Sequence, residues 1–286
     1  SSNNTISGNN VCLYPYGIHM ENSNNNTIKQ NIFKSDYTGY LEYGAYLKAC
    51  FNNTILENII QNNIYLDSSL GNLISGNNAS TIALESSSNN TISNNNVSSI
   101  SLDLSSNNLI SGNNINDTDI YNTNDHSGIL IESSSDNHIV GNNISGDETS
   151  FEHFCGISLS NSSENTISGN NFSRYYRGIS IFNSISNSIF QNNLISTIYS
   201  FEISYGISFW ESAVYGITLD GLSYNNTLYE NNITHNCYGF YLHAVSNNSI
   251  RENSIIQSWV GILMEGSSNN EISTNNISNG TYGIYM

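Results

Sequence analysis

Four carboxylates, Asp67, Glu85, Asp103 and Glu132, stand at matching places in a recurring pattern, one per repeat. Each ends a short alternating segment, as in Ile64-Tyr65-Leu66-Asp67, Ile82-Ala83-Leu84-Glu85 and Ile100-Ser101-Leu102-Asp103. A period of two puts the Ile and Leu side chains on one face of a strand and the acids on the other. Like charges facing each other on neighbouring strands destabilise by a few tenths to about 1 kcal/mol per pair. A row of four therefore requires raised pKa values, bound cations such as Ca²⁺, or open exposure to water and salt. Paired carboxylates also serve glycoside hydrolysis, at separations of about 5–5.5 Å for retention or about 6.5–9.5 Å for inversion. At roughly 4.8 Å per strand step, Asp103 with Glu132, or Asp67 with Asp103, approaches those distances. A lyase needs a strong base and charge stabilisation at its substrate, and Lys48, Arg174, Arg177 and Arg251 are few and scattered. His126 and His153 each sit beside acids and could exchange a proton, while Tyr65, Tyr175, Tyr176 and Trp210 offer ring faces suited to sugar stacking. Spacing alone satisfies no active-site geometry. The row reads first as a solvated acidic stripe, with no catalytic residue and no metal site assigned. Asp67, Glu85, Asp103 and Glu132 are candidates for glycan or Ca²⁺ binding.

The elements that must position these residues come from a repeat. Twelve apolar anchors, Ile6, Ile28, Ile55, Ile74, Ile92, Ile110, Ile139, Ile167, Ile189, Leu228, Ile250 and Ile272, all have Asn two residues before and Asn three residues after. The position five after is always apolar, from Val11 to Ile277. The most closely spaced anchors, Ile74, Ile92 and Ile110, define the bare coil, and wider spacings elsewhere carry insertions. Each coil holds three apolar pieces too short for helices, which predicts a solenoid of three short strands per coil. The two Asn columns fall at corners, where Asn tolerates a left-handed backbone and where stacked amides form ladders.

These SSNNTISGNN-type repeats resemble the right-handed parallel β-helices of the pectin-lyase-like class, in particular the repeats of carbohydrate-binding and sugar-hydrolase domains, NosD-like proteins and archaeal cell-surface proteins. The resemblance spans nearly all of residues 1–286. It implies an all-β fold, a single right-handed parallel β-helix of about 12–13 coils with Asn ladders at two corners, and it leaves sugar chemistry open. If the chain is an enzyme, it is a polysaccharide hydrolase or lyase.

Lys and Arg number 6 against 23 Asp and Glu, giving a net charge of −17. Counterion release requires a basic surface, so nucleic acid is excluded as a partner, and polyanionic chains such as polygalacturonate are disfavoured. No apolar run approaches the length that a membrane-spanning helix needs, so none is expected. Cys12, Cys50, Cys155 and Cys237 lie in unlike positions of distant coils and read as free thiols. Fifteen Asn-x-Ser/Thr sequons fit an extracellular or cell-surface glycoprotein, with Asn116 and Asn279 as acceptors.

Insertions near residues 34–43, 116–127, 146–155 and 198–215 all leave the same corner and line one edge. Both ends match the repeat and carry no capping element, which fits either a piece of a longer β-helix or stacking of copies head to tail into a filament, sheath or surface layer. The leading expectation is a non-enzymatic surface solenoid whose partner is itself. The alternative is a carbohydrate-binding or carbohydrate-cleaving domain using the acidic row and the aromatic insertions.

Overall fold

The computed structural model describes residues 1–12, 14–34, 43–116, 126–146, 154–196 and 214–286. The described residues are all-β, and every strand pairing is parallel. They fall into two compact units: Ser1–Asn116 with Leu130–Asn143, and Asp117–Ile129 with Ile144–Met286.

In the first unit every anchor is the centre of a three-residue strand. Thr5–Ser7, Thr27–Lys29, Thr54–Leu56, Leu73–Ser75, Thr91–Ser93, Leu109–Ser111 and His138–Val140 stack in register, Ile on Ile from Ile6 to Ile139. A second sheet holds the longer strands Tyr16–Glu21, Tyr43–Lys48, Asn63–Asp67, Thr81–Glu85 and Ser99–Asp103. A third side is built from short strands such as Ile32–Lys34 and Asn96–Val97, joined through bridges at Asn78. The second unit repeats the scheme. Its anchor strands run from Thr166–Ser168 to Glu271–Ser273, its long strands from Phe154–Ser160 to Tyr282–Tyr285, and its third side from Asn171–Ser173 to Asn276–Ser278. Ile and Leu from the three sides fill each interior, with Ile74, Ile82, Ile92 and Ile100 fully buried. Three parallel sides per coil around a dry core make each unit a parallel β-helix.

The expected ladders are present at two corners. From Asn4 to Asn137, the backbone N and Nδ2 of each Asn donate to Oδ1 of the Asn one coil on, at 2.8–3.2 Å. A second ladder runs from Asn9 to Asn142, and the second unit carries the pair Asn165 to Asn270 and Asn170 to Asn275. Asn90 shows why only this amide serves. Its Oδ1 accepts twice from Asn72, while its Nδ2 donates to Asn108 and to the carbonyls of Ser69 and Ser88. One small side chain thereby satisfies buried groups on three coils.

One part of the expectation is corrected. The ladder Asn residues do not themselves take the left-handed backbone. That conformation belongs to the residue just before each, as at Asn89 (φ 57°), Asn94 (φ 54°) and Gly112 (φ 63°). The left-handed residue turns the chain, and the next side chain is thereby aimed inward.

A third ladder, of serines, occupies the remaining corner. Ser69 N donates to Ser87 Oγ, Ser87 N to Ser105 Oγ and Ser105 N to Ser134 Oγ, each at 2.9 Å. Cys50 takes a serine place in this column and is fully buried. The serines stand five residues before the anchors, a spacing visible in the sequence but masked by the abundance of Ser elsewhere.

Candidate functional site: an aromatic and acidic face on the long strands

Residues of the long strands alternate between core and solvent, so the outward positions of successive coils form columns. In the first unit one column holds His19, Tyr46, Tyr65, Ala83 and Ser101, and the next holds Glu21, Lys48, Asp67, Glu85 and Asp103. Leu104 N donates to Glu132 O as Ser86 N does to Asp103 O, which carries the acidic column on to Glu132. The predicted row of four carboxylates therefore exists, one per coil.

Its members differ in environment. Asp67 accepts from Ser68 Oγ at 2.7 Å and Tyr46 OH at 3.4 Å, and pairs with Lys48 Nζ at 3.4 Å. The Ser68 hydroxyl, then Lys48 and Tyr46, hold its carboxyl below the ordinary value. Glu85 accepts from the Tyr65 phenol. Asp103 and Glu132 are exposed and have no side-chain partner among the described residues. Repulsion is thus offset by donors at one end of the row and by water at the other.

Beside the acids lies a continuous set of rings. Tyr46 stacks on Tyr65 at 5.7 Å with planes 7° apart, and Tyr43 touches both at 5.3 and 5.0 Å. Tyr16 extends the set toward Tyr43 at 5.9 Å, and His19 lies edge-on to Tyr46 at 5.0 Å. The Tyr46 and Tyr65 phenols reach diagonally to Asp67 and Glu85, the acids of the following coils. Partial burial, together with the Glu85 hydrogen bond, pushes the Tyr65 phenol well above its usual pKa, so it stays protonated. Of these rings only Tyr65 was among the residues singled out from sequence.

The second unit carries a related cluster. Tyr215 stacks on Tyr238 at 5.2 Å, touches Tyr241 at 5.6 Å and meets Tyr176 edge-on at 5.8 Å, with the Arg177 guanidinium 5.4 Å from the Tyr176 ring. Tyr241 OH donates to Glu265 at 2.9 Å, and His243 Nδ1 lies 2.9 Å from Asp220. This face is partly covered, since Thr218, Tyr238 and Leu263 are all buried. The usable signal was the dipeptide Tyr-Gly, at Tyr16-Gly17, Tyr43-Gly44, Tyr215-Gly216, Tyr238-Gly239 and Tyr282-Gly283. A Cβ at Gly239 would lie 2.5 Å from the Gly261 carbonyl oxygen, so glycine lets the coils close up beside each tyrosine.

Other sequence candidates fare differently. Tyr175 is a correction: it is fully buried and donates to Asn236 Oδ1 at 3.1 Å. It follows Arg174 (φ 53°), so the corner turns it inward like a ladder residue, and it presents no face to a sugar. Tyr176 is half-buried in the second unit's ring cluster. His153 and Trp210, the His126 side chain and the insertion residues 35–42, 117–125, 147–153 and 198–213 lie outside the described residues, whereas Tyr43 and Tyr215, at the ends of two insertions, join the ring clusters. Asn116 and Asn279 are exposed, as are the acceptor asparagines of all fifteen sequons, because the inward turn buries the ladder Asn and leaves its neighbours outside.

The chain belongs to the right-handed β-helix family: the model described as "Right handed beta helix region" matches residues 70–220 and 127–286. A second model, "Periplasmic copper-binding protein (NosD)", matches residues 1–121. Among solved structures, the exopolygalacturonase of Thermotoga maritima superposes with a TM-score of 0.67 at 10% identity, covering 96% of this chain and 84% of that one. The periplasmic alginate epimerase AlgG gives 0.59 at 14% identity over 91% and 72%. PfbA, a surface adhesin of Streptococcus pneumoniae, gives 0.57 at 14% over 91% and 84%. No curated protein matches the chain in sequence.

Copper favours imidazole, thiolate and thioether ligands, and the described donors in residues 1–121 do not converge. Met20 is buried in the core, while its neighbour His19 faces outward among the tyrosines. Cys50 is sealed in the serine ladder, and the exposed Cys12 donates to Asn10 Oδ1. Among the described residues no three His, Cys, Asp or Glu side chains gather closely enough to hold a metal ion, the acidic row included. The described donors therefore assemble no site for copper or Ca²⁺.

Proposed function

We propose that this protein is a β-helix of the cell surface or extracellular space that holds a polysaccharide chain on the ring platform of its first unit. The observation carrying this reading is the run of Tyr16, Tyr43, Tyr46 and Tyr65 over three successive coils, beside a row of carboxylates. Successive coils advance by about 4.8 Å, close to the length one pyranose adds to an extended chain, so neighbouring rings meet neighbouring sugars. Stacking of sugar faces on aromatic rings combines apolar contact with a polar tip. The location is supported by the periplasmic description of one family model and by the surface adhesin among the neighbours. Glycosylation at the exposed Asn116 and Asn279 would accord with that location.

Binding is favoured over cleavage because Asp103 and Glu132 are exposed, with no side-chain partner among the described residues to aim them at a glycosidic bond. Titration calorimetry against a panel of oligosaccharides tests the proposal. Tyr46→Ala and Tyr65→Ala should each weaken binding about tenfold, in line with about 1–1.5 kcal/mol per stacked ring. Unchanged affinity in both variants overturns the platform. A reducing-sugar assay with Asp103→Asn and Glu132→Gln should find no hydrolysis to abolish. Sedimentation of the same samples measures the second expected partner, copies of the chain joined head to tail.

A further inference from the structure

We infer that the platform of the first unit selects polysaccharides bearing ammonium groups, that is, amino-sugar chains with free amines; this rests on the glycan-binding reading above. The argument is one of donors and acceptors. Tyr46 and Tyr65 direct their only O–H donors at Asp67 and Glu85, so toward a ligand their oxygens can act only as acceptors. The carboxylates of Glu21, Asp67, Glu85 and Asp103 are acceptors by nature. The one cation of this column, Lys48, is already paired with Asp67. With Glu132 continuing the row, five carboxylates against one ammonium leave the column a charge of −4.

The ring faces have the same preference, since an aromatic quadrupole attracts cations. A neutral sugar brings acceptors as well as donors, and its acceptors would face carboxylates and engaged phenols without partners. An ammonium brings three donors and no acceptor, so it loses nothing against this surface. Acidic sugars meet direct repulsion. Two structural neighbours, by their names, act on alginate and polygalacturonate, which are chains of acidic sugars. The face described here has the opposite requirement. Exposed Glu85 and Asp103 lie on the two coils that follow the coil of Tyr65, which places the ammonium-binding groups beside the stacking ring instead of at a distant patch.

The test measures affinity for glucosamine oligomers, N-acetylglucosamine oligomers of equal length and oligogalacturonates, at low and at physiological salt. The expected result is at least about tenfold tighter binding of the free-amine chain than of its acetylated form, with the gap narrowing as salt rises. Glu85→Gln with Asp103→Asn should reduce that preference, read as the ratio of the two affinities, to about threefold or less. Tyr65→Ala should weaken both. Equal affinity for the two chains overturns this inference and leaves the glycan-binding reading standing. A preference that survives the Glu85→Gln, Asp103→Asn pair assigns it to the overall charge of −17 and overturns the site. Absence of binding to every chain overturns both readings.

Discussion

Asn90 accepts two hydrogen bonds and donates three inside a sealed corner, and its replacement by Ala would strand donors of Asn72 and the carbonyl of Ser69. Unsatisfied buried groups cost about 1–3 kcal/mol each, so Asn90→Ala is expected to lower stability by roughly 3 kcal/mol or more in denaturant titration. Asn90→Asp should be worse, because it removes the donors and buries a charge. Cys50 offers the opposite case. Its thiol donates to the Lys48 carbonyl from a column otherwise made of serine, and burial pushes its pKa up. Cys50→Ser restores the stronger hydroxyl donor and should raise the melting temperature slightly, by no more than about 1 kcal/mol of stability. Asp67 carries a pH signature. Its folded pKa is depressed, so its contribution is present above the unfolded value of about 3.9 and is lost as pH falls through the folded value. A difference in melting temperature between wild type and Asp67→Asn at pH 6 should therefore shrink progressively as pH falls below the unfolded value.

At the scale of the element, the coil is defined by three left-handed residues, each followed by an inward side chain. Asn89 precedes Asn90, Asn94 precedes Asn95, and Ser86 precedes Ser87. This rule places Tyr175 in the core, where an inspection of composition sees only an aromatic beside arginines. It also explains why two coils touch at Gly239, where any Cβ would overlap the neighbouring backbone. Gly239→Ala should separate the long strands locally and cost several kcal/mol, on the order of an overpacked core substitution. Thermal unfolding checks this, with Gly8→Ala as the contrast: Gly8 has open space for a Cβ but a φ of +67°. There the penalty is about 1 kcal/mol, from backbone conformation alone.

For the molecule as a whole, tyrosine ionisation links the ring clusters to stability. Burial pushes Tyr215 up to about 12 and also raises Tyr65, Tyr175 and Tyr241. Raised folded pKa values give a contribution that is complete below the unfolded value of about 10 and is lost as pH rises toward the folded ones. Stability should therefore decline steeply above about pH 10, and the part of the phenolate absorbance that belongs to these four tyrosines should rise together with loss of structure.

The repeat, the strand positions, the Asn ladders and the acidic row were legible in the sequence because each repeats at a fixed offset from an apolar anchor. Parallel stacking without register slip converts such an offset directly into a column. The serine ladder had the same offset and escaped notice because Ser is common at exposed positions as well. What only the tertiary structure decided was which neighbours face each other across a coil boundary. The diagonal reach of Tyr46 to Asp67 and Tyr65 to Glu85, the inward turn of Tyr175, and the assembly of Tyr16, Tyr43, Tyr46 and Tyr65 into one surface depend on side-chain direction at corners of differing length. Periodicity fixes a residue's column, whereas its contacts are set by how closely the next coil approaches.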